Sequence, residues 1–359
     1  MDHLPGGPAG QGEDTGTVLV AGYWLLVAGY LLDPGNGELT LHLSVGVLNT
    51  KTTERERVSP PLGCETRNAK RQPGVDFDVY EVSMQLNHKN PPRIGLALGG
   101  GAARGLAHLG VLKVLMEEKI PIDFIAGVSV GSIVAAGFAA GLSMEQLIQQ
   151  AESVTWKHLG RWSLSLKGFN RNDRMADWLE SILPVSTFEE LKIPLRVLAS
   201  VLRTGKPVVL ERGSLFPAIQ ASCAIPGLYV PVEVNGYLLA DGYLTCSLPV
   251  QQVREMGADI VVASAIGLEI SDQVNLNNIY QILLRSFSIM STAVQRNSLP
   301  EADVLIQPHI ENFSWTDLDA LSELIEAGEG AARKQLGHLQ EALQPSFWTR
   351  VKKRIGYRF

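Results

Sequence analysis

No cysteine pair, no metal-ligand spacing and no apolar run long enough to span a bilayer occurs in this chain of 359 residues. Its three cysteines, Cys64, Cys223 and Cys246, are scattered and odd in number, without a C-x-x-C pair. Such a set speaks against a disulfide framework and a zinc site, and fits free thiols in a reducing compartment. H-E-x-x-H is missing as well, so no metal and no cofactor is expected. A cationic surplus is also lacking: 31 Lys and Arg stand against 37 Asp and Glu, a formal net charge of −6. Nothing there offers the broad basic surface that a nucleic-acid partner needs.

The best candidate for a membrane segment, Val18 to Leu32, is too short. As a helix it would rise about 22 Å, against a hydrocarbon core of ~30 Å. No Lys or Arg precedes Lys51, so the basic n-region of a signal peptide is absent too. A cytoplasmic protein is the expectation. After that stretch comes a turn cluster, Asp33-Pro34-Gly35-Asn36-Gly37, and then Leu39, Leu41, Leu43, Val45 and Val47 alternate with period two. The pattern predicts a small β-rich, hairpin-like extension over 18–50. Residues 1–17, rich in Gly, Pro and acid, read as a disordered leader. Residues 51–90 read as a linker with a short strand from Val75 to Met84, and Met84 is a second candidate start.

From Pro91 the texture changes. Short apolar runs at Ile94–Leu98, Phe124–Val128, Leu195–Leu202, Val208–Leu210, Tyr237–Ala240 and Ile260–Ala265 alternate with helical segments. This predicts an α/β fold: a mainly parallel central sheet flanked by helices, in three layers. A long helix around Asn277 to Arg296, a strand at Val304–Gln307 and a helix over 317–342 complete it. The apolar side chains from Asn277 to Met290 suit either ordinary core packing or an acyl pocket. The last residues, 346–359, form a basic tail. Arg350, Lys352, Lys353 and Arg354 there suit a solvated end or a peripheral contact with anionic lipid.

Gly127-Val128-Ser129-Val130-Gly131 stands where an apolar strand gives way to a small-residue helix. A serine at such a sharp bend is a nucleophile elbow, with flanking glycines that tolerate strain and close packing. Upstream, Gly99-Gly100-Gly101-Ala102-Ala103-Arg104-Gly105 joins a strand to a helix. The loop departs from a dinucleotide fingerprint because Arg104 stands where the third glycine is required. It departs from a phosphate loop because Leu106-Ala107 replaces Lys and Ser/Thr. An oxyanion hole and a plain tight turn remain.

A serine needs a base. Of seven histidines, only His158 and His309 fall in plausible loops, and His108 and His338 fall within helices. Asp241, which ends an apolar strand before Gly242, is the better partner. Ala221-Ser222-Cys223-Ala224-Ile225-Pro226 supplies a rigid approach to that strand.

These four ordered blocks, spread over about residues 92–310, resemble the patatin-like phospholipase family, in particular its compact bacterial branch. The resemblance implies a catalytic domain over 91–310 with a C-terminal helix packed on it over 311–345. It implies a Ser–Asp dyad without histidine, in which Ser129 is the nucleophile and Asp241 the base. The amides of Gly99, Gly100 and Gly101 would form the oxyanion hole, supported by Arg104, Gly127, Gly131 and Gly242. The substrate implied is a lipid carboxyl ester. Tyr243 departs from the family, where Gly or Ala often follows Asp-Gly, and bears on the substrate entrance. A thioesterase or peptidase on the same scaffold, and a regulatory binding protein retaining the fold, are the rival readings.

Overall fold

A computed structural model of the chain describes residues 91–343, except 160, 166, 167, 172 and 267–275, together with strands between residues 17 and 86. The chain divides after Pro91 into two compact units. The basic tail predicted over 346–359 lies outside the described residues.

The first unit is an antiparallel sheet. Its strands are β1 (Thr17–Val20), β2 (Tyr23–Leu26), β3 (Tyr30–Leu32), β4 (Leu39–Leu48), β5 (Glu65–Arg71) and β6 (Phe77–Leu86). β2 and β3 both pair with β4, through Trp24 with Gly46 and Tyr30 with Leu41, while β6 runs the whole length of β4 from Leu39–Leu86 to Leu48–Phe77. β5 lies within the stretch that reads as linker in the sequence, and pairs with β6.

The second unit starts with β7 (Ile94–Leu98), α1 (Ala107–Glu117), β8 (Phe124–Val128), α2 (Val130–Ala139) and α3 (Met144–Ser153). There follow α4 (Trp156–Leu159), β9 (Arg161–Ser165), β10 (Gly168–Arg171), α5 (Asp173–Ile182), β11 (Leu195–Val201), β12 (Lys206–Leu210) and α6 (Leu215–Ser222). The chain then forms β13 (Val232–Val234), β14 (Tyr237–Asp241), α7 (Val250–Glu255), β15 (Ile260–Ser264), α8 (Ile279–Ser298), β16 (Val304–Ile306) and α9 (Leu321–Leu343).

Among the described residues, the central sheet has the order β13-β14-β11-β8-β7-β15-β16, with β12 also on β11. The run β11-β8-β7-β15-β16 is parallel, and β12, β13 and β14 are antiparallel additions. Five-residue apolar strands buried along their length need cover on both faces, and helices supply it. Ile94, Leu96 and Leu98 of β7 enter a large core with α1, α2, α6 and α9. The small Ala97 enters the second core, with Val250 and Val253 of α7. Gly95 is small for the same reason, since a Cβ there would run into Val253. On the first face α9 lies against α1, where Gly110 and Gly328 let the two backbones approach. Lys113–Glu329 and Arg333–Glu117, both at 2.6 Å, flank that contact.

In this arrangement β7, β8 and β15 end on the same side of the sheet, the side on which α/β sheets place ligands.

Candidate active site

The site arises from an unusual sharing of one strand edge. Val128, the last residue of β8, pairs with Leu198, and Asp241, the last residue of β14, pairs with Ala199. β8 runs parallel to β11 and β14 antiparallel, while β12 occupies the opposite edge of β11 from Val197 to Val201. The two strands therefore meet end to end, and the residues at their tips converge.

Side chains complete the interrupted ladder. Ser222 Oγ donates to the Leu198 carbonyl at 2.6 Å and accepts the Ser129 N–H at 2.8 Å. Ser200 Oγ donates to the Asp241 carbonyl at 2.8 Å, and the Asp241 N–H donates to Ala224 O at 3.0 Å. Buried backbone groups at a broken ladder must find partners, and the serines provide them. Gly242 is confined by the same junction, because a Cβ would collide with the Leu198 carbonyl.

Ser129 sits at φ 53°, ψ −129°, immediately before α2. Positive φ is costly for a residue with a Cβ. The bend survives because its neighbours are small: a Cβ on Gly131 would lie 2.5 Å from Leu98 O, and one on Gly127 2.5 Å from Gly131 O. Ser132 secures the turn by donating its Oγ proton to Ser129 O at 2.6 Å.

The strain aims the Ser129 hydroxyl, which donates to Asp241 Oδ2 at 2.8 Å. The other carboxylate oxygen, Oδ1, accepts the Tyr243 N–H at 2.8 Å. Ser129 is 6% exposed and Asp241 1%. Burial pushes the Asp241 carboxyl up to about 7, against the opposing pull of those two hydrogen bonds. A carboxylate of that basicity is a far better proton acceptor near neutrality than an ordinary aspartate.

Of the three glycines expected at the oxyanion hole, two have amides with backbone partners. The Gly99 N–H donates to Ser264 O at 3.1 Å and the Gly100 N–H to Ser247 O at 3.2 Å, so both amides are spent on holding the loop. Gly101 and Ala102, the next two residues, border the cavity at Ser129 instead. Gly100 is small because Tyr243 packs on it, with a built Cβ only 2.5 Å from the ring.

His108, near the start of α1, clamps this loop. Its Nε2 donates to Gly99 O at 2.8 Å, which leaves Nδ1 to accept from Ser264 Oγ at 2.8 Å. Burial brings its pKa down to about 4, so the ring is neutral.

Among the described residues, two cavities meet at Ser129. The larger, about 120 Å³, is almost wholly apolar and follows α2 past Ile133 and Gly137 to Leu142, Leu147 and Ile182. The smaller, about 70 Å³, is bordered by Gly101, Arg104, Asp241, Tyr243, Phe287 and Trp315. The Arg104 Nε is buried there without a hydrogen-bond partner, and burial holds the guanidinium below its ordinary pKa. Helix α8 contributes Phe287 and Ser288 to the smaller cavity and nothing to the larger. An acyl pocket lined by its Ile, Leu and Met residues is thereby corrected, because Ile279, Leu283 and Met290 face outward.

Sequence reasoning passed over Ser222 and His108. The Ser222 signal was present, inside the block Ala221 to Pro226, but its task depends on where β11 breaks its pairing.

Residues 96–254 match the family described as patatin-like phospholipase. Uncharacterized NTE family proteins of Mycobacterium tuberculosis and Mycobacterium bovis are 37% identical over 188 residues, 52% of this chain and 52% of theirs. The lysophospholipase NTE1 of Kluyveromyces lactis is 26% identical over 279 residues, 69% of this chain and 19% of that protein. The chain thus spans at most about half the length of these relatives. Among solved structures, VipD from Legionella pneumophila aligns over 80% of this chain and 72% of its own, at 14% identity and a TM-score of 0.39. Residues 96–254 of the chain thus form a patatin-like phospholipase family domain.

Proposed function

We propose that this protein hydrolyses carboxyl esters of lipids, of the phospholipase or lysophospholipase type, through an acyl-enzyme. The observation that carries this reading is the 2.8 Å hydrogen bond from Ser129 Oγ to Asp241 Oδ2, buried at the meeting point of an apolar and a polar cavity.

Ser129 Oγ attacks the ester carbonyl carbon while its proton passes to Asp241 Oδ2. The carbonyl oxygen gains charge and is met by the N–H groups of Gly101 and Ala102; one such donor is worth on the order of 10²–10³ in rate. The carbonyl reforms, the C–O bond to the alcohol breaks, and Asp241 returns the proton to the leaving oxygen. Water then repeats the sequence: Asp241 takes its proton, hydroxide adds to the acyl carbon, and Ser129 leaves with that proton.

The apolar cavity along α2 is fitted to the acyl chain. Its length from Ser129 to Gly137 is about 12 Å at helical rise, room for roughly nine or ten methylenes of ~1.5 Å bonds in zigzag. Arg104 in the polar cavity suits a phosphate headgroup by charge-assisted hydrogen bonding. A basic tail at Arg350 to Arg354 would add attraction to an anionic surface.

A fluorophosphonate probe, followed by a panel of lysophospholipid, neutral ester, thioester and peptide substrates, tests this reading. Labelling at Ser129 with turnover of the lipid esters is expected. A folded protein that the probe leaves unlabelled would point to a binding protein, and preference for peptide or thioester would overturn the substrate class.

A further inference from the structure

Helix α8 packs with its polarity reversed. Ser291, Thr292 and Gln295 are 1%, 1% and 0% exposed, while Ile279, Ile282, Leu283, Ile289 and Met290 are 44–70% exposed. Ile279, Ile282, Leu283, Ile289 and Met290 fall on one face of the helix, with the exposed Ser286 between the two groups. Packing alone would turn the helix the other way. As it stands, Ser291 Oγ and both polar ends of the Gln295 side chain are buried without hydrogen-bond partners. Burial of unpaired polar groups and exposure of clustered apolar side chains are both unfavourable in water.

Charge marks the same helix. Between Ile279 and Ser298 stand Arg285 and Arg296 and no Asp or Glu, in a chain whose net charge is −6. Arg296 is exposed at the C-terminal end of the stripe. From between the apolar positions, Phe287 and Ser288 reach the cavity that borders Ser129 and Asp241.

We infer that the outer face of α8 seats on an anionic lipid surface. The five apolar side chains enter the acyl boundary, Arg296 meets the headgroups, and the smaller cavity lies directly behind the contact. An apolar stripe with basic residues and no acid is the composition of helices that lie in a membrane interface. Each such side chain moved out of water contributes favourably, and the arginines make the attraction depend on anionic lipid and on salt. The inference rests on the lipid-ester reading for the nature of what enters the cavity, but its test does not depend on turnover.

The experiment is co-sedimentation of the full chain carrying Ser129→Ala with vesicles of phosphatidylglycerol or of phosphatidylcholine, so that binding is read without hydrolysis. Preference for phosphatidylglycerol is expected, reduced at least tenfold by Leu283→Asp with Met290→Asp. The pair Leu202→Asp with Tyr237→Asp, which also alters exposed apolar residues, should leave binding as it was. Circular dichroism and a thermal melt verify folding, and Leu283→Ser with Met290→Ser replaces the aspartate pair if that fails to fold. Equal binding of the α8 variant, or no preference for the anionic vesicle, overturns the proposal. So does a dimer in light scattering that the α8 substitutions dissolve, since the stripe would then be covered by a second copy.

Discussion

Ser222 supports Ser129 from beneath: its Oγ accepts the Ser129 N–H at 2.8 Å and passes its own proton to Leu198 O at 2.6 Å. One hydroxyl thus closes the gap where the ends of β8 and β14 meet on the edge of β11. Ser222→Ala leaves a buried donor and a buried acceptor unpaired, which costs about 1–3 kcal/mol each before relaxation. A lower melting temperature and a fall in kcat on the order of tenfold or more are expected. Unchanged kcat would show that the elbow holds its strain without this bridge.

The pH dependence follows from the Asp241 pKa of about 7. Proton acceptance requires the ionised carboxylate, so kcat/KM should rise with pH and level off above about 7. Stability runs the opposite way. A folded-state pKa above the unfolded value means that the folded chain holds the proton more tightly, so stability is full below about pH 4 and declines as pH rises through 7. Asp241→Asn should therefore melt higher than the wild type at pH 8, while losing activity. Thermal melts at pH 5 and pH 8 check the sign, and a variant that melts lower at pH 8 would contradict it.

On the proposed function, Gly137 would limit acyl length. It faces the apolar cavity, and a Cβ there would sit 2.7 Å from Leu147 Cδ2, the far end of a flexible side chain. Gly137→Leu would fill the passage beyond Ile133. With an ester series from four to sixteen carbons, kcat/KM should fall tenfold or more for chains beyond about ten carbons, given a rise of ~1.5 Å per helical residue. A uniform fall at every length would deny the cavity this role.

On the proposed function, Arg104 would distinguish a charged headgroup from a neutral one. Loss of one hydrogen bond to a charged group costs about 1.5–3 kcal/mol. Arg104→Ala should raise KM for a lysophospholipid roughly tenfold or more and leave KM for an uncharged ester of equal chain length within a few fold. Equal effects on both substrates would make Arg104 a support of the loop alone.

Much of the catalytic domain was legible from apolar runs, because buried strands such as Ile94–Leu98 and Ile260–Ser264 are short, branched and bounded by turns or helices. Ser129 and Asp241 stood out for a related reason: Ser129 follows such a run with Gly127 and Gly131 on either side, and Asp241 ends one directly before Gly242. What stayed hidden depends on pairing partners far away in sequence. That Gly99 and Gly100 spend their amides on Ser264 and Ser247 follows from the placement of β15 and of the turn after β14, which no local pattern reports. The polarity of α8 was equally hidden, since spacing of three and four identifies a stripe but does not say whether it faces core or solvent. His108 looked like a helix residue and is one, yet its Nε2 holds the glycine loop at Gly99 O while its Nδ1 is fixed by Ser264 Oγ.

The most direct measurement of the central claim is lysophospholipid turnover by Asp241→Asn alongside Ser129→Ala, with both variants shown to be folded. The amide keeps an oxygen for the Ser129 hydroxyl but cannot take its proton, so kcat should drop by roughly the 10²–10⁴ typical of losing a general base. Turnover of Asp241→Asn near the wild-type rate, with Ser129→Ala inactive, would leave Ser129 as nucleophile and remove Asp241 as its base.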